Sequence, residues 1–237
     1  MKDYYKTISN DVRFKEGLNA CMNCGVCTAI CPAAEFYEYD PRKICNILLS
    51  KDNEKIEELL KTDFIWYCGQ CMSCKARCPR GNVPALLISA LRKLSQETGL
   101  FTESEKGRQQ YAIYKTVGLN MLETGYCVHL DLVDPQLHPE QGKTWEWYYK
   151  NAEEVVDRLG GNYKKEGPGA LRKISEKNME EVRKIFKVTG ANDFFEKIKM
   201  HSEKRAGQTC KNINDSDSSS EYFFSVYVEN SNNHSKK

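Results

Sequence analysis

The sequence contains no long apolar run. No stretch approaches the ~20 consecutive apolar residues of a membrane-spanning helix, and the opening MKDYYKTISND is too polar for a secretory h-region. It also has no marked charge excess. Lys+Arg 35 against Asp+Glu 33 leaves a formal net charge of +2, so no broad field is present to gather nucleic acid or an anionic membrane. No G-x-G-x-x-G opens a βαβ pattern, which removes the basis for a flavin or nicotinamide site. Only four histidines occur, and His129 and His138 sit in loop-like sequence, where solvation or hydrogen bonding is the ordinary role. The expectation is a soluble, cytoplasmic chain that binds no nucleic acid and has no transmembrane segment. Its 237 residues allow one generous domain, or a small one with an extension.

Cysteine, in contrast, is plentiful, with eleven in all. Cys21, Cys24, Cys27 and Cys31 fall within CMNCGVCTAICP, and Cys68, Cys71, Cys74 and Cys78 within CGQCMSCKARCP. In an exported chain so many cysteines would suggest disulfides. Two tight groups without an export signal point to metal ligation in a reducing compartment. Cys45, Cys127 and Cys210 are left over, and Cys45, in KICNILL, reads as a small buried thiol.

Both runs obey C-x2-C-x2-C-x3-C-P, the spacing of bacterial-type iron–sulfur sites. A [4Fe–4S] cluster needs a thiolate at each iron; a short loop wraps three corners, and the fourth ligand comes from farther away. In two-cluster ferredoxins the cysteine before proline serves the other cluster. The expected ligand sets are therefore Cys21, Cys24, Cys27 and Cys78 for one cluster, and Cys68, Cys71, Cys74 and Cys31 for the other. Gly25 and Gly69 would supply positive φ or simply stay clear of the cluster. Pro32 and Pro79 fix φ after the crossing cysteines. Lys75, Arg77 and Arg80 flank the second run and would either tune a cluster or dock a partner. A pair of four-cysteine zinc sites is the competing reading; no catalytic residue is identified.

The surrounding pattern is helical. Ile44, Ile47 and Leu48, then Ile56, Leu59 and Leu60, step at 3.6-residue period on either side of SKDN, predicting two short helices. Val83, Leu86, Leu87, Ala90, Leu91 and Leu94 predict one amphipathic helix ending at Gly99. Farther on, TWEWYYKNAEEVVDRLGG reads as one helix with Trp145, Tyr149, Ala152, Val156 and Leu159 on one face. SEKNMEEVRKIFKVTG follows, capped by Ser175 and stopped at Gly190, and DFFEKIKMH supplies a short helix. From Ala206 the chain turns polar and low in complexity, apart from EYFFSVYVE, which would suit either an added β-strand or a flexible tail.

The paired runs, the helical spacer with DPRKICNILL, and DFIWYCGQCMSCKARCPRG resemble the C subunit of heterodisulfide reductase over about Lys15 to Phe101. HPEQGKTWEWYY and EGPGALRKIS resemble the extended form found in sulfur-oxidising heterodisulfide reductase-like complexes. The resemblance implies a mostly α fold: an N-terminal arm (1–14), an α-helical ferredoxin core with two [4Fe–4S] clusters (15–101), a helical extension for docking (102–205), and a flexible tail (206–237). It also implies an electron-transfer role, in which single electrons pass between two heterodisulfide reductase-like partners, a flavin-bearing, iron–sulfur A subunit and a B subunit with CCG motifs. Such a chain would reach a membrane only through its partners. No CCG occurs here, so disulfide chemistry would belong to another chain. The alternatives are an iron–sulfur subunit of another dehydrogenase complex, or a zinc-stabilised interaction module.

Overall fold

Residues 2–132, 134–137, 141–213 and 220–231 are described by the computed structural model. Every regular element among them is helical, and the chain divides into two units, Met1–Arg108 and Gln109–Lys237.

The first unit opens with α1 (Tyr4–Ser9) and α2 (Val12–Gly17), capped by the side chains of Asp3 and Asp11. Two one-turn helices follow, α3 (Val26–Ala29) and α4 (Ala33–Phe36). The two helices expected in the spacer form as α5 (Pro41–Ser50) and α6 (Asn53–Leu60). Asp40 caps α5 with Pro41 in its first turn, and Asp52 caps α6; each carboxylate accepts backbone N–H groups that the first turn leaves unpaired. After the short α7 (Ser73–Arg77), α8 (Pro84–Thr98) runs to a left-handed Gly99, the predicted stop.

Helix α8 is the central support. Leu87, Ile88 and Leu91 are fully buried against Ile44 and Leu48 of α5 and Ile56 and Leu60 of α6. Each such side chain contributes about 1.5–3 kcal/mol of burial. Gly17 of α2 comes so near α8 that a Cβ there would lie 3.1 Å from Leu87 Cδ2, and the Val83 N–H bonds the Gly17 carbonyl at 2.8 Å. The Ser95 hydroxyl donates to the Leu60 carbonyl at 2.7 Å, tying α8 to the end of α6.

Helix α9 (Glu105–Ile113) leads into the second unit, where a π-helical turn, Tyr114–Gly118, joins α10 (Leu119–Thr124). The Phe195 ring occupies the space beside Gly118, 2.7 Å from where a Cβ would stand. The single helix expected over TWEWYYKNAEEVVDRLGG is broken into α11 (Gly142–Lys150) and α12 (Ala152–Arg158). Asn151 divides them, its side chain donating to the Trp147 carbonyl at 2.8 Å, a local bond that competes with helix continuation. The break changes the buried face: Ala152, Val155 and Val156 are buried, and Leu159 is exposed.

Helix α13 (Glu176–Val188) keeps its Ser175 cap and Gly190 stop; Met179 is buried, and Ile185 is exposed. Helix α14 (Ala191–Gln208) is longer than DFFEKIKMH suggests and includes the first residues assigned to the tail. The apolar island of that tail is a helix, α15 (Glu221–Ser231), and not a strand. Tyr222, Phe223 and Val226 are buried there, with the Tyr222 ring edge-on to Tyr111 at 5.5 Å. Packing against its own unit gives this short segment the apolar contacts that sequence alone does not locate.

Candidate metal centre

The two cysteine runs follow the same backbone path. In each, the second and fourth residues after the first cysteine are left-handed: Asn23 and Gly25 in one, Gln70 and Met72 in the other. The fourth residue then starts a one-turn helix, α3 or α7, that carries the third cysteine. Gly25 supplies positive φ as expected. Gly69 does not, and its neighbour Gln70 adopts that conformation instead.

This winding leaves two small hollows. Cys21, Cys24, Cys27 and Cys78 line the first, and Cys31, Cys68, Cys71 and Cys74 line the second. Three thiols in each hollow come from one run and the fourth from the other. Pro84, at the start of α8, lines both hollows and forms a shared wall.

Their surroundings differ. The first hollow is also lined by Arg42, Arg80, Asn82 and the buried Cys45. Arg42 bonds Asp40 at 2.9 Å, and Asp40 accepts the Thr28 hydroxyl of α3. Asn82 is 2% exposed; its backbone N–H and side-chain amide approach Cys78 Sγ at 3.2 and 3.6 Å, while its Oδ1 accepts the Asn19 N–H at 2.6 Å. The second hollow is lined by Ile88, Ala85, Ala33, Met72 and Pro41. There the Gln70 N–H lies 3.4 Å from Cys68 Sγ.

Burial pushes the Cys27 and Cys74 thiols up, and pushes Cys45 far above the ordinary thiol range. On Cys78 burial acts the same way but is outweighed by N–H groups of Arg80, Asn82 and Gly81, which hold its thiol down. Among the described residues no three His, Cys, Asp or Glu side chains converge on one point tightly enough to grip a single ion.

Comparison with known proteins agrees with this geometry. A family profile described as "4Fe-4S dicluster domain" matches residues 16–82, the segment containing all eight cysteines of the two runs. The chain is 30% identical over 161 residues to the C subunit of the Ferredoxin:CoB-CoM heterodisulfide reductase of Methanosarcina acetivorans, covering 67% of this chain and 61% of that protein. It is 28% identical over 173 residues to an iron–sulfur C subunit, the one numbered 2, of the CoB--CoM heterodisulfide reductase of Methanocaldococcus jannaschii, covering 73% and 74%. The chain belongs to the family of heterodisulfide reductase C subunits. Within this family of iron–sulfur electron-transfer proteins, its dicluster domain is the first unit's cysteine-rich core.

A four-thiol donor set around each hollow fits an iron–sulfur cluster. So does an orphaned polar group: the Tyr39 hydroxyl is buried without a hydrogen-bond partner, beside Cys68 and Cys31. Of the three flanking cations, only Arg80 lines a hollow, the one completed by Cys78; Lys75 and Arg77 are exposed and line neither. Cys127 and Cys210 are exposed. His129 is buried, its Nδ1 accepting the Asp131 N–H at 3.4 Å and its ring stacked on Tyr163, and burial lowers its pKa. His138 lies outside the described residues. Sequence reasoning missed Arg42, Asn82, Tyr39 and Arg92. A local signal existed for the first two, since Arg42 sits one helical turn before Cys45 and Asn82 four residues after Cys78. No helix among the described residues is long and apolar enough to cross a membrane.

Proposed function

We propose that the chain relays single electrons through two [4Fe–4S] clusters. Cys21, Cys24, Cys27 and Cys78 hold one, and Cys68, Cys71, Cys74 and Cys31 hold the other. The observation carrying this reading is the membership of the two hollows: each is ringed by four thiols, three from one run and the fourth from the other. When bound, the clusters supply one-electron redox centres. The chain's own residues would bind them, with Pro84 of α8 lining both hollows and Ala85 and Ile88 lining the second. With all four thiols of each set engaged, no iron corner stays open to a sulfur substrate, so the relay is catalytically silent by itself.

The relatives are named for heterodisulfide reductases, and we assign the partners accordingly: a flavin-bearing A subunit and a disulfide-handling B subunit. Lys75 and Arg77, exposed and away from both hollows, suit docking, whereas Arg80 suits tuning. Anaerobically purified chain should be brown, hold two clusters, and accept electrons from a strong reductant without disulfide reductase activity until partners are added. A colourless, zinc-loaded chain would instead identify an interaction module, because zinc has a full d shell. Steady turnover by the single chain would overturn the relay reading.

A further inference from the structure

Tyr39 and Arg92 are polar groups of the core that both reach Cys68, one of the residues lining the second hollow. Tyr39 is 3% exposed, its ring held by Phe64 at 4.9 Å and edge-on to Tyr67 at 6.1 Å. Its hydroxyl makes no well-formed hydrogen bond, and the acceptor it faces is Cys68. A buried hydroxyl left without a partner is costly, so its position needs a reason. Arg92, on α8, donates to the carbonyls of Ile65 at 2.8 Å, Trp66 at 3.0 Å and Cys68 at 2.6 Å, and its guanidinium lies 5.4 Å from the Trp66 ring centroid. No carboxylate pairs with it among the described residues, and the groups favouring its charge are Cys68 and Tyr39. A half-buried cation without a counter-ion calls for an anion nearby, and a cluster with four thiolates is such an anion.

We propose that Tyr39 and Arg92 jointly set the reduction potential of the cluster held by Cys68, Cys71, Cys74 and Cys31, Tyr39 by donating its O–H to the Cys68 thiolate and Arg92 as an uncompensated charge behind it. The inference rests on the ligand sets proposed above. Reduction adds one electron, taken from the external reductant, to a centre that is already anionic. A hydrogen bond to sulfur and a nearby cation both favour the more negative state, so both raise the potential. Neither residue lines a hollow itself, but both act on Cys68, a residue of the second hollow alone, so the effect belongs to that cluster.

Anaerobic redox titration of the full chain, followed by electron paramagnetic resonance, tests this. Tyr39→Phe removes only the hydroxyl. It should lower one of two midpoints by roughly tenfold in the reduced-to-oxidised ratio at fixed potential, ~59 mV for a one-electron couple. Arg80 lines the other hollow, so Arg80→Gln should lower the other midpoint, with the double variant moving both. Arg92→Gln should move the same midpoint as Tyr39→Phe. Arg92→Lys keeps the charge and loses the fork, so it should lower the melting temperature with a smaller shift in potential. If Arg92→Gln loses the fold, Tyr39→Phe still decides. Two clusters with both midpoints unmoved in Tyr39→Phe, or movement of the same midpoint as in Arg80→Gln, would overturn the inference. Absence of iron in the wild-type chain would overturn the ligand reading instead.

Discussion

Around Cys21, Cys24, Cys27 and Cys78 stand two arginines, a buried amide and a further thiol, Cys45; around Cys31, Cys68, Cys71 and Cys74 the wall is Ile88, Ala85, Pro41 and Met72. The two runs share their spacing and their left-handed residues, yet their surroundings were not duplicated. Spacing thus governs how the chain wraps a group, because ligand geometry is a local matter. Reduction potential depends on charge, burial and hydrogen bonds brought in from other elements, and there the two hollows part.

The largest effect should come from the crossing cysteines. Cys31→Ser is expected to remove about half the bound iron, sparing the centre ringed by Cys21, Cys24, Cys27 and Cys78. Cys78→Ser should do the reverse, read by iron analysis and by which resonance signal survives. Loss of the Cys21-side signal in Cys31→Ser would break the assignment. Next comes the core packing of α8, whose first residue Pro84 lines both hollows: Leu87→Ala, at a fully buried position, should cost about 2–5 kcal/mol in chemical denaturation. It should weaken retention of both clusters alike, whereas retention altered on one side only would show that α8 does not support them equally.

A smaller effect separates the runs. Gly25 has φ +76, so Gly25→Ala should cost ~1–2 kcal/mol. Gly69 has no positive φ and open space where a Cβ would go, so Gly69→Ala should stay within about 0.5 kcal/mol in the same assay. Equal costs would mean that the two loops are not wound alike in solution. Smallest of all, Lys75→Gln and Arg77→Gln should leave both midpoints of the isolated chain where they were. If these residues dock a partner, the two changes should slow association and weaken its dependence on salt, measured by stopped-flow mixing.

Much of the first unit is legible in the sequence because its signals are local. The cysteine spacing, the apolar period of α5, α6 and α8, and Gly99 as a stop all act within a few residues of chain. Gly69 misleads because the loop needs a left-handed residue one position later, and Gln70 accepts that conformation. Asn151 looks like an ordinary helical residue, although its side chain is free to bond the Trp147 carbonyl and end α11. α15 reads as a strand or tail because EYFFSVYVE has no partner in its own sequence; the partner is Tyr111, far back along the chain. Tyr39 and Arg92 are invisible for the same reason. Nothing near Tyr39 or Arg92 in sequence says that both meet Cys68.

The exchange of Cys31 and Cys78 between the hollows also sets an order of events during synthesis. While the chain is being made, the first hollow has three of its thiols as soon as Cys27 has emerged, but Cys78 follows only after about 3–10 s at ~5–20 residues/s. The second hollow waits for Cys74, although Cys31 has long been exposed. Until Cys68 emerges, the nascent chain offers the four thiols of the first run, with Cys45 after them, to any soft metal ion it meets, and none of them is yet in a closed set. Filling of the first hollow therefore belongs after the release of Cys78, and a chaperone or carrier that shields the first run until then would have a defined window in which to act.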